Sequence, residues 1–65
     1  MLKSALLIAM DAARAHRRYL AGEITNEQAT GVYMDCVEAY LTGGYEQDGL
    51  AEHALEMLAS VTNDG

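Results

Sequence analysis

Apolar side chains crowd the first twenty residues of this chain more densely than one helix face can hold. Leu2, Ala5, Leu6, Ala9, Ala12, Ala13, His16, Tyr19 and Leu20 recur at three- and four-residue steps, the spacing of one side of an α-helix. Leu7, Ile8 and Met10 fall outside that stripe, so the first half of the helix is apolar nearly all round. A helix of that kind is buried on more than one side. The chain has 65 residues, and a domain of that size buries only about 60% of its unfolded surface. The second burying surface is therefore expected from another copy, with Leu2, Leu6, Leu7, Ile8 and Met10 at a homodimer interface.

The other remedies for a small core are closed to this sequence. Its one cysteine, Cys36, cannot form an internal disulfide, and no Cys/His cluster offers a structural metal. Oligomerisation remains, and a two-fold dimer is its commonest form.

The rest of the chain reads as two more helices in a single domain spanning residues 1–65. Proline, which breaks helices, is absent. Helix 1 is expected over about residues 2–21, with Gly22 as the residue that ends it. Thr25 and Gln28 have the spacing of a capping box, with Ile24 just ahead as a staple residue. They open helix 2, over about residues 26–42. Ala29, Val32, Tyr33, Cys36, Val37, Tyr40 and Leu41 form its apolar side. Gly31 within it costs roughly 1 kcal/mol against alanine, so it either admits a close helix crossing or is simply tolerated. Gly43 and Gly44 stop helix 2. Asp48 is the expected cap of helix 3, over about residues 48–61, with a stripe of Leu50, Ala54, Met57, Leu58 and Val61 widened by Ala51 and Leu55. The tail from Thr62 is expected to fray. The predicted fold is an all-α three-helix bundle completed by homodimerisation.

Charge is divided along the chain. Residues 1–22 hold all four basic side chains and one acid, for a net +3, whereas residues 23–65 hold nine acids and no lysine or arginine, for a net −9. Asp48, Glu52 and Glu56 recur every four residues, which places them in one row on a helix. No lysine or arginine interleaves them. The row is either a binding face for a basic partner or a solvated surface that keeps the protein soluble. Arg14, Arg17 and Arg18 form the opposite cluster. They suit either contact with nucleic acid or pairing with the acids of helices 2 and 3. The net charge of −6 opposes nucleic-acid binding, since an acidic surface repels a phosphate backbone over a Debye length of about 8–10 Å. Helix 2, the glycine pair and helix 3 also resemble a helix-turn-helix in outline, but the third helix would present acids and no basic residue to the phosphates.

No constellation for catalysis emerges. His16 and His53 are far apart in sequence and neither belongs to a ligand cluster or an acid–base pair. Cys36 lies between Asp35 and Glu38 on an apolar side, where acids disfavour a thiolate, so it is expected to pack as a small hydrophobe. No cofactor, metal or enzymatic activity is expected. Met34 departs from the stripe of helix 2, and Tyr45 follows two glycines. Both are expected to contact a partner, as methionine and tyrosine often do. The run from Ala5 to Met10 is shorter than a secretory signal needs, and no run approaches the ~18 apolar residues of a membrane span. A cytoplasmic location is expected, in keeping with a single cysteine.

The expectation is a small acidic protein-binding module, homodimeric, that modulates or inhibits a macromolecular partner. Its size and acidity are shared by accessory factors of phages and mobile elements. The partner contacts would be Asp48, Glu52, Glu56, Tyr45 and Met34. Two alternatives are a nucleic-acid-associated regulator using Arg14, Arg17 and Arg18, and a structural or assembly subunit.

Overall fold

Each helix begins where a short polar side chain accepts a backbone N–H that the helix itself cannot satisfy. The computed structural model describes residues 4–44 and 48–63 and places three helices there: α1 (Ala5–Leu20), α2 (Asn26–Gly43) and α3 (Gly49–Asn63). Ser4 Oγ accepts from the Leu7 N–H at 3.2 Å and caps α1. The capping box at α2 is complete: Gln28 N–H donates to Thr25 Oγ1 at 3.1 Å, and Thr25 N–H donates to Gln28 Oε1 at 2.8 Å. Asp48 Oδ1 accepts from Ala51 N–H at 3.0 Å and caps α3. The caps at Thr25 and Asp48 follow the sequence signals. Helix 1 begins later than Leu2, because Ser4 is extended and its hydroxyl turns back onto the first turn.

Glycine ends two of the helices. Gly22 and Gly44 adopt left-handed backbone with φ of +77° and +72°, a region that a Cβ makes costly. Helix 2 therefore runs through Gly43 and stops at Gly44, one residue beyond the expected end.

The termini fix how the helices run. Asn26, the first residue of α2, donates from Nδ2 to the Tyr19 hydroxyl at 3.3 Å and to the Thr62 carbonyl at 2.9 Å. Tyr19 lies in the last turn of α1 and Thr62 in the last turn of α3. The two helices thus end at the same end of the bundle and run parallel, with α2 antiparallel to both. Thr30 Oγ1 lies 3.4 Å from Asn26 Oδ1 and completes the polar cluster. Thr62 does not fray as its place near the C-terminus suggested. It is buried, its hydroxyl donates back to the Leu58 and Ala59 carbonyls, and its own carbonyl receives the Asn26 bond. That bond supplies a partner for one of the carbonyls a helix end leaves over.

Among the described residues, half of the buried apolar ones are alanines: Ala9, Ala12, Ala15, Ala29 and Ala51. The others are Ile8, Cys36, Tyr40, Leu55 and Leu58, of which Ile8 and Leu58 are completely enclosed. The inner side of α1 is therefore Ile8, Ala9, Ala12 and Ala15, rotated from the stripe read in the sequence. Small side chains let helices pack closely, and the dense packing of protein interiors rewards such an approach. The correction is sharpest at Ile8. It was expected at a dimer interface and is instead sealed inside a single copy. Full burial of such a side chain contributes roughly 1.5–3 kcal/mol. Leu20, Leu41 and Leu50, assigned to buried stripes, stand outside.

Gly31 is exposed on α2, and a Cβ built there would meet no atom within 4 Å. It serves no close helix crossing.

Candidate functional site

Because α1 uses its small residues for the core, its larger ones lie on a neighbouring side. Leu6, Met10, Ala13, Arg17 and Leu20 succeed one another at steps of four, three, four and three residues and so form one strip, exposed except at the half-buried Ala13. On α3, Leu50, His53, Ala54 and Met57 make the matching strip. Between them lies an open groove of about 270 Å³, lined almost entirely by apolar atoms. Ala9, Ala13 and Ala54 form its low parts, and Leu6, Met10, Leu50 and Met57 its larger apolar lining; His16 and His53 complete it. Leu6 is 57% exposed and Leu50 60%, although both are large apolar side chains that gain from leaving water.

Arg17 continues the α1 strip past Ala13 and is exposed. Glu56 is exposed on α3 and does not line the groove.

The groove on the other flank of α1, toward α2, is polar. Asp11, Arg14, Arg18, Gln28 and Asp35 line it, above Ala15, Ile24, Val32 and the buried Cys36. Here arginines and aspartates share one space. Arg18 Nε also lies 3.6 Å from Glu23 Oε1 in the α1–α2 connection. Arg14 and Arg18 are thus set among acids, and Arg17 is exposed outside both grooves. Cys36 is enclosed, with Sγ 4.0 Å from the Ile8 carbonyl oxygen.

The residues expected to touch a partner fall in different places. Met34 is exposed on α2, with Leu41 seven residues on and equally outward. Together with Gly31, Tyr33, Val37 and Glu38 they border a shallow apolar depression. Glu52 and Glu56 are exposed on α3, but the Asp48 carboxylate caps that helix, so the acidic row reaches solvent chiefly through the two glutamates. Of the expected dimer contacts, Leu6, Leu7 and Met10 are exposed and Ile8 is not. Leu2 and Tyr45 lie outside the described residues.

The α3 side of the groove escaped the sequence reading, which placed Leu50 and Met57 in the core. The signal was present: the helix 3 stripe together with Ala51 and Leu55 is wider than one core face. Asn26 was also missed, since a polar residue at a helix start gives no sign of a partner 36 residues away.

Among the described residues, no group of three or more His, Cys, Asp or Glu side chains is placed to hold a metal ion, and no helix is long and apolar enough to cross a membrane. No known protein family, curated protein or solved structure matches this chain.

Proposed function

We propose that this chain is a small acidic helical module that works by association: it self-associates, holds a protein partner, and alters that partner's activity without chemistry of its own. The observation that supports the reading is the continuous apolar groove between α1 and α3. Scattered exposed leucines are ordinary on a protein surface, whereas apolar residues gathered into one concave feature mark interaction sites. A second apolar area on α2, around Met34 and Leu41, gives the module another surface for the protein partner. The exposed Glu52 and Glu56 favour a partner with basic character through complementary charge.

The test is capture by the immobilised chain, wild type beside a Met34→Lys/Leu41→Lys variant and a Glu52→Gln/Glu56→Gln variant. The expected result is one protein retained by the wild type and released by the first variant, with weaker retention by the second. The captured protein's activity should change when the chain is added. Equal retention by all three would overturn the assignment of the α2 surface. Binding of duplex DNA or RNA at low salt that disappears on Arg14→Ala/Arg17→Ala/Arg18→Ala would replace this reading with a nucleic-acid regulator.

A further inference from the structure

Resting on the reading that the protein holds a protein partner, we infer that the shallow depression on α2 takes a cationic amphipathic helix of that partner. The helix sets its apolar side on Tyr33, Met34, Val37 and Leu41 and its lysines or arginines against Glu38 and Asp35. Met34 is 65% exposed and Leu41 59%, with Tyr33 and Val37 half-buried beside them. The open depression of about 610 Å³ is lined by these four, Gly31, Asp35 and Glu38, all of them from α2. Glu38 lies four residues after Met34 and three before Leu41, so it adjoins both on the helix surface. Asp35 comes three residues before Glu38 and continues the acidic edge. Both acids are exposed, and α2 contains no lysine or arginine. Asp35 also borders the groove that holds Arg14 and Arg18, so Glu38 is the acid that faces the depression alone.

The charge of this lining selects the occupant. A second copy presenting α2 would set acid against acid, a juxtaposition that costs affinity. A nucleic-acid backbone or an anionic membrane is repelled for the same reason. A cationic surface is attracted, and the apolar strip beside the acids supplies the area it buries. The form of the partner follows from the backbone. A helix has its own hydrogen bonds paired and offers no strand edge, so an extended segment laid on α2 would turn unpaired N–H and C=O groups toward apolar side chains. A partner helix arrives with those groups already satisfied. From Gly31 to Leu41 the lining runs about 15 Å along the axis, nearly three turns, which suits a partner with apolar residues at i, i+3 or i+4, and i+7. Gly31 has no side chain, and a Cβ there would meet nothing within 4 Å. No helix of the same copy uses the low place it leaves, and a partner's backbone fits there.

The probes are two labelled synthetic peptides of about 14 residues, long enough to span the depression as a helix. One is an amphipathic leucine/lysine sequence, the other its leucine/glutamate counterpart in the same pattern. Titrated with the full chain by fluorescence anisotropy, the lysine peptide should bind and gain helix in circular dichroism, and the glutamate peptide should not. Met34→Gln/Leu41→Gln should weaken binding by about 30-fold through loss of the apolar contact. Glu38→Gln/Asp35→Asn should weaken it by about 10-fold, whereas Glu52→Gln/Glu56→Gln, which removes the same charge from α3, should cost less than about 3-fold. All six positions are exposed, so the helical spectrum of each variant should match wild type. No binding of the lysine peptide, equal binding of both peptides, or indifference to Met34→Gln/Leu41→Gln overturns the inference. Equal losses from the two acidic pairs also overturn it, since net charge alone would then be acting. A wild-type dimer in sedimentation that Met34→Gln/Leu41→Gln dissolves gives the depression to a second copy and overturns it as well. If the lysine peptide fails while the immobilised chain captures a protein that Met34→Lys/Leu41→Lys releases, the cationic helix falls and the association reading stands. Neither peptide binding nor capture overturns both.

Discussion

The two flanks of α1 solve the same problem differently. On the flank toward α2, Asp11, Arg14, Arg18, Gln28 and Asp35 place both signs of charge in one groove. On the flank toward α3, Leu6, Met10, Leu50 and Met57 stand around low alanine positions, with His16 and His53 the only polar side chains in the lining. The first flank gathers charges of both signs in one groove. The second leaves Leu6, Met10, Leu50 and Met57 exposed among the described residues. Both follow from one choice made in the core. By turning Ala9, Ala12 and Ala15 inward, α1 keeps its helices close and leaves its longer side chains to the flanks. Interior packing and surface chemistry are set together, and the surface left over is where an interaction is to be sought.

That contrast can be broken most forcefully from inside. Ile8→Ala removes a fully enclosed side chain beside the flank residues. It should cost about 2–4 kcal/mol, a large share of the stability of so small a domain, and appear as a much lower midpoint in urea denaturation. Leu6→Ala, two positions away and mostly exposed, should shift the same midpoint by less than about 0.5 kcal/mol when the chain is dilute and monomeric. Equal effects would mean that the flank is part of the core.

The next largest effect concerns the end of the bundle that holds both flanks in register. Asn26→Ala removes the donor to Tyr19 and Thr62 and should cost about 1–2 kcal/mol. Amide exchange in the last turn of α3 should speed up well before that of Ala51 or Leu55 is affected. An unchanged rate there would show that the bond does not secure the helix end.

Gly31→Ala offers a change of opposite sign, away from both flanks. With open space where the Cβ would go, the substitution should raise stability by up to about 1 kcal/mol through backbone preference alone. Loss of stability in thermal melts would imply a contact at Gly31 that a single copy lacks. The smallest effect belongs to the charged flank. Arg18 and Glu23 are both more than half exposed at 3.6 Å, and such pairs contribute from nothing measurable to about 1 kcal/mol. Arg18→Gln should cost less than about 0.5 kcal/mol, a fall of at most about 4 °C in melting temperature, and leave association unchanged.

The helix starts and stops were legible because each depends on residues close in sequence. Thr25 and Gln28 are three apart, Asp48 reaches Ala51 at the same spacing, and Gly22 and Gly44 are needed for their own backbone angles. The candidate site was half legible. The excess of apolar surface on α1 could be read at Leu6, Leu7 and Met10, but the opposite wall at Leu50 and Met57 was assigned to the core, and Ile8 was assigned to the outside. A helix that is apolar nearly all round fits more than one rotation about its axis, and its periodicity does not choose among them. Thr62 and Asn26 were illegible for a related reason. Their bond joins residues 36 apart, and neither type of residue advertises so distant a partner.

The sequence by itself determined that this chain is three helices and nearly where each begins and ends, because capping and backbone conformation are settled within a few residues. Only the tertiary structure decided which side of α1 turns inward and which residues meet across the α1/α3 groove. That decision belongs to packing: alanine, isoleucine and leucine are all apolar, and only the shape of the neighbouring helices distinguishes the side chains that fit between them from those left outside.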